Sequence, residues 1–416
     1  MPITDLHELR NVVDRAVGEV QITDIHTHLY APCFGDLLLW GVDELLVYHY
    51  LVAETFRWVD ISYNEFWAMS KSQQAELVWK TLFEENTPFS EATRGVLTVL
   101  KTLGLDVATR DLVTFRAYFA KFDAAGYIDK VFETSGVKNV VMTNDPFDDL
   151  ERPIWESGYQ ADPRFKAALR IDPLLNTWEK AFPRLQEWGY AVEETLNEKT
   201  LAEVRRFLTE WATKMDALYM AVSLPPTFRM PEDSARATVI AECVLPVCRE
   251  LNIPFAMMIG VKKLVNPELR LAGDSLGKSD IDTVEYLCAS FPKNKFMVTM
   301  LSRENQHELC IVARKFRNLL LFGCWWFLNI PTTIREMTSI RFELLGPSVI
   351  PQHSDARVLD QLVYKWDHSR KIIADVLYEK YRDILATGWT ISTEEVQRDV
   401  DKIFGGNFWS FVKKRL

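Results

Sequence analysis

Val20-Gln21-Ile22-Thr23-Asp24-Ile25-His26-Thr27-His28 decides how the rest of the chain is read. The stretch is short and ends in two histidines, two positions apart. Strand side chains alternate, so on a strand His26 and His28 project to one side. Two imidazoles projecting together can hold one divalent cation at the strand's end. The same pattern also arises incidentally. Here the preceding strand, Asp24 two residues earlier and Asp355 near the far end of the chain favour the metal.

Seven further apolar or β-branched runs follow: Val137–Thr143, Phe165–Arg170, Tyr219–Leu224, Pro254–Ile259, Phe296–Leu301, Leu319–Phe327 and Ser348–His353. Most are succeeded by a helical pattern, the signature of parallel βα units, and eight units predict a (β/α)8 TIM-type barrel. Phe255-Ala256-Met257-Met258-Ile259 is apolar throughout, as a strand covered on both faces should be. The whole chain, 1–416, reads as one barrel domain. Residues 37–130, aromatic and helical in period, read as a helical insertion on the first βα loop. The segment from Leu359 onward reads as helical, with a Ser392-x-x-Glu395 capping box.

Composition narrows the function classes. A net charge of −10 argues against a general nucleic-acid binder, which needs a basic face. The longest apolar run, Leu319 to Leu328, has 10 residues and is too short to span a bilayer. Asp5, Glu8 and Arg10 come too early for a secretory signal, and Cys33, Cys243, Cys248, Cys288, Cys310 and Cys324 include no C-x-x-C pair. They are expected to be buried thiols in a reducing cytoplasm.

In such barrels the chemistry gathers at the C-terminal strand ends. Barrel closure brings the eighth strand beside the first, so Asp355 can complete a His26, His28, Asp355 set. Two neutral nitrogens and a carboxylate suit zinc, with manganese or another divalent ion as alternatives. If the last segment stays extended, Arg357 faces the same way as Asp355. Arg170, at the end of the third strand, is either a surface ion pair or a fork for a substrate carboxylate, and Arg357 has the same two readings. His49-Tyr50 is either a buried hydrogen-bonded pair or an acid/base pair over the metal, in which a nearby cation would ease ionisation of the phenol. Of Trp325 and Trp326 only one can line the pocket if the strand alternation holds; Trp326 is preferred, with Trp325 packing outward. Ser302-Arg303-Glu304-Asn305 reads as structural support at the mouth.

These residues together resemble the uronate isomerases (glucuronate isomerases) of the amidohydrolase superfamily, in a divergent subgroup. The likeness rests on Asp24-x-His26-x-His28, His49-Tyr50, Arg170 followed by Asp172, Ser302-Arg303-Glu304-Asn305, Gly323-x-Trp325-Trp326-Phe327 and Asp355-x-Arg357. It implies conversion of D-glucuronate to D-fructuronate and of D-galacturonate to D-tagaturonate, by proton transfer from C2 to C1 through a cis-enediol. His26, His28 and Asp355 would hold the metal, and Asp355 would also take the hydroxyl proton on ring opening. Tyr50, helped by His49, would move the carbon-bound proton. Arg170 and Arg357 would bind substrate oxygens, and Trp326 would exclude water. Two motifs depart from the family. Met258 stands where a strand-five histidine is usual, and Ser223-Leu224-Pro225-Pro226 replaces a Ser-Asp-His motif. The partner expected is a small hexuronate, with no nucleic acid or membrane and with self-association into a homo-oligomer. Two rival readings remain on the same barrel: a metal-dependent hydrolase or decarboxylase of a small carboxylated substrate, and a non-catalytic sugar-acid binder.

Overall fold

The computed structural model describes residues 2–416. Seven strands form one curled parallel sheet in chain order: β1 (Ile22–Thr27), β2 (Val137–Asn144), β3 (Phe165–Arg170), β4 (Met220–Leu224), β5 (Phe255–Ile259), β6 (Phe296–Met300) and β7 (Leu319–Leu321). Each pairs with the next, and helices on the outside cover the sheet, so the strands are buried on both faces. An inner cluster including Ile25, Ala168, Ala221, Ala256, Met258, Met297 and Phe322 fills the barrel. Phe408 and Phe411, on the C-terminal helix Asn407–Lys413, belong to the same cluster. Lys295 anchors that helix: its buried ammonium donates to the carbonyls of Asn252 (2.6 Å), Val412 (2.5 Å) and Lys414 (2.9 Å).

The eighth run does not form the strand expected over Ser348–His353. It makes a single parallel bridge, Ile350 to Phe322. Pro347 and Pro351 flank the bridge and have no N–H to give to a ladder. The barrel nevertheless closes through two backbone bonds. The N–H of Asp355 donates to the carbonyl of His26 (3.3 Å), and that of His28 donates to Ala356 (2.7 Å). Asp24 adds a side-chain latch, its carboxylate accepting from the Ser354 N–H at 3.1 Å and from Trp366 Nε1 at 2.9 Å. The β1 ladder slips between Asp24 and Thr27, and such a bulge re-aims the side chains on either side of it.

The seventh run also differs. Its strand stops at Leu321, because Gly323 (φ +65°) turns the chain and Trp326–Leu328 forms a tight 3-10 turn. Between β1 and β2 lie short helices: Val42–Leu46, His49–Thr55, Tyr63–Ala68, Lys71–Trp79, Glu91–Thr102, Leu112–Phe119 and Ala124–Ser135. Capping boxes at Ser62/Glu65 and Ser70/Gln73 start two of them, satisfying orphan N–H groups that short helices have in excess. The predicted box at Ser392/Glu395 caps Thr393–Asp401. No described helix is long and apolar enough to cross a membrane. Five cysteines are buried free thiols; Cys33 is exposed, correcting the expectation for that residue.

Candidate active site

The ends of β1 and the closing segment bring His26, His28 and Asp355 together. Asp355 Oδ1 lies 3.6 Å from His26 Nε2 and 3.4 Å from His28 Nε2. One ligand atom from each falls within 4.8 Å of the others, and no other such group occurs among the described residues. Asp355 is not extended as expected. It sits at φ +56°, a left-handed conformation that aspartate tolerates better than most residues and that is characteristic of functional sites.

Each imidazole is locked in one tautomer. The Tyr219 hydroxyl donates to the Ile25 carbonyl at 2.7 Å, so its oxygen is left to accept from His26 Nδ1 at 3.3 Å. The Thr143 hydroxyl donates to the Thr27 carbonyl at 3.0 Å, and its oxygen accepts from His28 Nδ1 at 3.1 Å. Both histidines therefore carry the proton on Nδ1 and turn the Nε2 lone pair toward Asp355. Metal-binding histidines are oriented in this manner by neighbouring acceptors. Sequence reasoning missed Tyr219 and Thr143. A tyrosine in an otherwise apolar barrel strand was the available signal, since a buried phenol needs a partner.

Burial comes first among the causes that hold His26 and His28 well below the usual histidine range. For His28 the positive charges of Arg357, Arg170 and Lys263 add to it. Both rings are thus neutral, as metal ligation requires. His26 Nε2 and Asp355 Oδ1 are buried with no partner in the protein, a pair of orphaned atoms that a cation would satisfy. Met258 lies in the inner cluster and offers only a soft thioether, and the imidazole and carboxylate groups that meet are three. His353 packs against His26 with ring centroids 5.3 Å apart. Burial pushes its pKa down to about 4. It fits only because residue 323 is glycine: a Cβ there would lie 1.6 Å from His353 Nδ1.

Beside the triad opens a cavity of about 500 Å³, with His28, His49, Arg170 and Arg357 in its wall. The Arg170 fork is bidentate to Asp172, Nε at 3.0 Å and Nη2 at 2.9 Å, so the ion-pair reading holds while the residue still borders the cavity. Tyr48, rather than Tyr50, joins His49 in that wall. Tyr50 packs edge-on against His49 (4.6 Å between centroids) and stacks on Phe327 (6.1 Å). Burial, followed by Tyr48 and the Asp355 and Glu91 carboxylates, pushes the Tyr50 phenol well up, opposite to the easier ionisation expected. Its cationic neighbour, Lys365, is 5.9 Å from the ring and paired with Glu91.

Trp326 meets His49 at 6.0 Å, and Lys263 lies 5.8 Å over its ring. Trp325 belongs to the same inner cluster and does not pack outward: Trp326 at φ +50° breaks the alternation on which that expectation rested. Asn305 supports the mouth as expected, its side chain bridging both the N–H and the C=O of Ser279. Over the cavity, the segment 263–274 reaches from β5 to the helices after β1. Trp67 Nε1 donates to the Glu268 carbonyl at 2.8 Å, and the Arg270 guanidinium stacks 4.4 Å from the Trp67 ring.

No protein-family model and no curated protein matches the chain. Solved structures do. A uronate isomerase from Bacillus halodurans C-125 is 58% identical over 99% of this chain and 98% of its own, with a TM-score of 0.98. A uronate isomerase from Thermotoga maritima (15% identity, covering 98% of this chain and 99% of its own, TM-score 0.78) shares the fold. So does a glucuronate isomerase from Caulobacter crescentus (14% identity, 100% and 98%, TM-score 0.68). A likeness of 58% along the whole length, on a barrel that gathers two imidazoles and a carboxylate at its closing seam, shows that the chain is an isomerase and belongs to the uronate isomerase family.

Proposed function

We propose that the chain interconverts the aldose and ketose forms of hexuronic acids, D-glucuronate with D-fructuronate and D-galacturonate with D-tagaturonate, with one divalent cation held by His26 Nε2, His28 Nε2 and Asp355. The observation that carries the reading is the pair of locked tautomers: Tyr219 and Thr143 commit both Nδ1 protons and leave two lone pairs and an orphaned carboxylate oxygen converging. The donor set suits zinc first and manganese next. When bound, the cation supplies Lewis acidity toward the carbonyl and hydroxyl oxygens at C1 and C2 of the open-chain sugar.

The side chains do the rest. Arg357 and the free edge of Arg170 bind the substrate's oxygens, the C6 carboxylate among them. Asp355 accepts the hydroxyl proton as the ring opens. His49, which burial and the charges of Arg357 and Lys365 help to keep neutral, faces the cavity as the acceptor for the proton leaving C2. His49 returns that proton to C1, and Tyr50, protonated and packed edge-on against it outside the cavity wall, positions the ring for both transfers. The C2–H bond breaks, a C1–H bond forms, and the C2 hydroxyl proton moves to the C1 oxygen, so the atoms balance without a redox partner. Trp326, packed edge-on against His49 and not itself in the cavity wall, backs that ring and helps to keep water from the cis-enediol. A small hexuronate is the partner; a cytoplasmic setting and self-association complete the reading.

The test is turnover of glucuronate and galacturonate by protein of measured metal content, before and after chelation and after adding back zinc or manganese. Activity should disappear with the metal and return with it. Full turnover by metal-free protein, or none of either uronate by loaded protein, overturns the reading.

A further inference from the structure

The cavity wall has an acidic stretch, which the reaction above does not use. Opposite in charge to Arg170 and Arg357, it is formed by Asp145, Glu151 and Tyr30. β2 ends at Asn144, and its last turn of side chains divides the labour. Thr143 holds His28, and Asp145, two residues on, borders the cavity. Asn144, between them, donates to Glu151 Oε2 at 2.9 Å. Glu151 is satisfied further by the Tyr30 hydroxyl at 2.7 Å and the Asp145 N–H at 3.1 Å, so it braces the wall.

Asp145 is different. Its Oδ1 accepts from the Phe147 N–H at 2.9 Å, and among the described residues no donor reaches its other oxygen. Arg170 is the nearest cation by its electrostatic effect, but its fork is spent on Asp172 and it makes no ion pair with Asp145. Asp145 is half-buried, and burial pushes its carboxyl up to about 7. A carboxylate oxygen that borders a cavity and has no protein partner is open to a donor from the cavity. The cavity it borders is the one that takes the sugar.

We propose that Asp145 accepts a hydrogen bond from a hydroxyl on the C3–C5 stretch of the open-chain hexuronate, and so sets which polyhydroxylated acids bind. The proposal rests on the uronate-isomerase reading of this cavity. Its logic is a division of labour along one rim: Asn144 pairs with Leu169, so Asp145 follows beside Arg170, and an arginine that takes an acid oxygen stands next to a carboxyl that takes a hydroxyl. A ligand of the right length without hydroxyls leaves Asp145 unpartnered and gains nothing from it.

The experiment compares two six-carbon dicarboxylates by titration calorimetry on metal-loaded protein: D-glucarate, which has four hydroxyls, and adipate, which has none. The variant is Asp145→Asn, which keeps the acceptor for the Phe147 N–H and replaces the open acceptor by a donor. Asp145→Ser serves if that variant does not fold. Glucarate affinity should fall by about 10- to 100-fold, the range for a charged hydrogen bond. Adipate affinity should hold within about twofold or improve, since the lost interaction was never made. The KM for uronates should rise with glucarate's Kd. Equal loss for both dicarboxylates, or no loss for either, overturns the proposal while leaving the isomerase reading intact. Failure of the parent protein to turn over any uronate would strike the isomerase reading instead.

Discussion

The floor of the site and its roof are built on opposite plans. The floor, from the ends of β1, β2 and the closing segment, fixes atoms: each imidazole is held by a hydroxyl that is itself held by a β1 carbonyl. The roof, segment 263–274 over the helices after β1, rests on a few contacts. These include Trp67 to Glu268, Arg270 over Trp67, Lys263 over Trp326, and Asn266 Nδ2 to the Tyr63 hydroxyl at 3.1 Å. Leu264 and Val265, in the same segment, are exposed. Chemistry needs donors placed to within a fraction of an ångström, and rigid strands provide that. Entry of a substrate needs a cover that can give way, and such covers come from weakly tied segments.

The comparison breaks most visibly at the floor. Asp355→Asn should abolish metal retention, measured by elemental analysis, and lower kcat by at least about 10³-fold, since several kcal/mol of charge stabilisation go with the cation. Retained metal and turnover would show that the triad is not the site. Next come the hydroxyls beneath the imidazoles. Thr143→Val and Tyr219→Phe should each weaken metal affinity by about 10- to 100-fold in a chelator competition, with the folded state preserved. If metal affinity is unchanged, the tautomer lock is incidental.

A smaller effect separates the cavity's acidic wall from both. Asp145 and Glu151 are each raised to about 7 by burial, so the folded state holds protons that the unfolded chain releases from about pH 4 upward. The contribution of these two groups to stability should therefore fall as pH rises from about 4 to about 7 and then level off, against the opposite contribution of the buried histidines. Asp145→Asn should melt closest to the parent at pH 4 and gain on it toward pH 8; a gap that does not widen would mean the carboxyl is not strained by burial. The roof should matter least. Trp67→Ala removes one stacking contact and one hydrogen bond, and should raise KM by about two- to fivefold with kcat nearly unchanged. A large fall in kcat would place the roof in the chemistry.

The same division explains what could be read from the sequence. The meeting of His26, His28 and Asp355 was legible because a two-residue period and barrel closure are rules of chain geometry, even though Asp355 adopts a left-handed rather than an extended conformation. Arg170 and Arg357 were legible as strand-end residues. Thr143, Tyr219 and Asp145 were not, because their roles depend on which residue of one strand lies beside which residue of another, and on the slip in β1 that no local pattern announces. Choosing between Tyr48 and Tyr50 as the neighbour of His49 in the cavity wall depended on how a short helix is rotated, which Tyr48-His49-Tyr50 leaves open. The eighth run was legible as a place but not as a strand, since its prolines weaken the ladder while the seam closes by other bonds.

The glycine at 323 carries a consequence for protein engineering. With a positive φ and an imidazole where any methyl group would sit, saturation mutagenesis at this position should return only the parent residue among well-folded clones. The neighbouring Cys324, buried and uncharged, should tolerate small apolar replacements. Anyone reshaping this barrel for another sugar acid should therefore treat the turn after β7 as fixed scaffold and place diversity in the acidic wall and the segment above it.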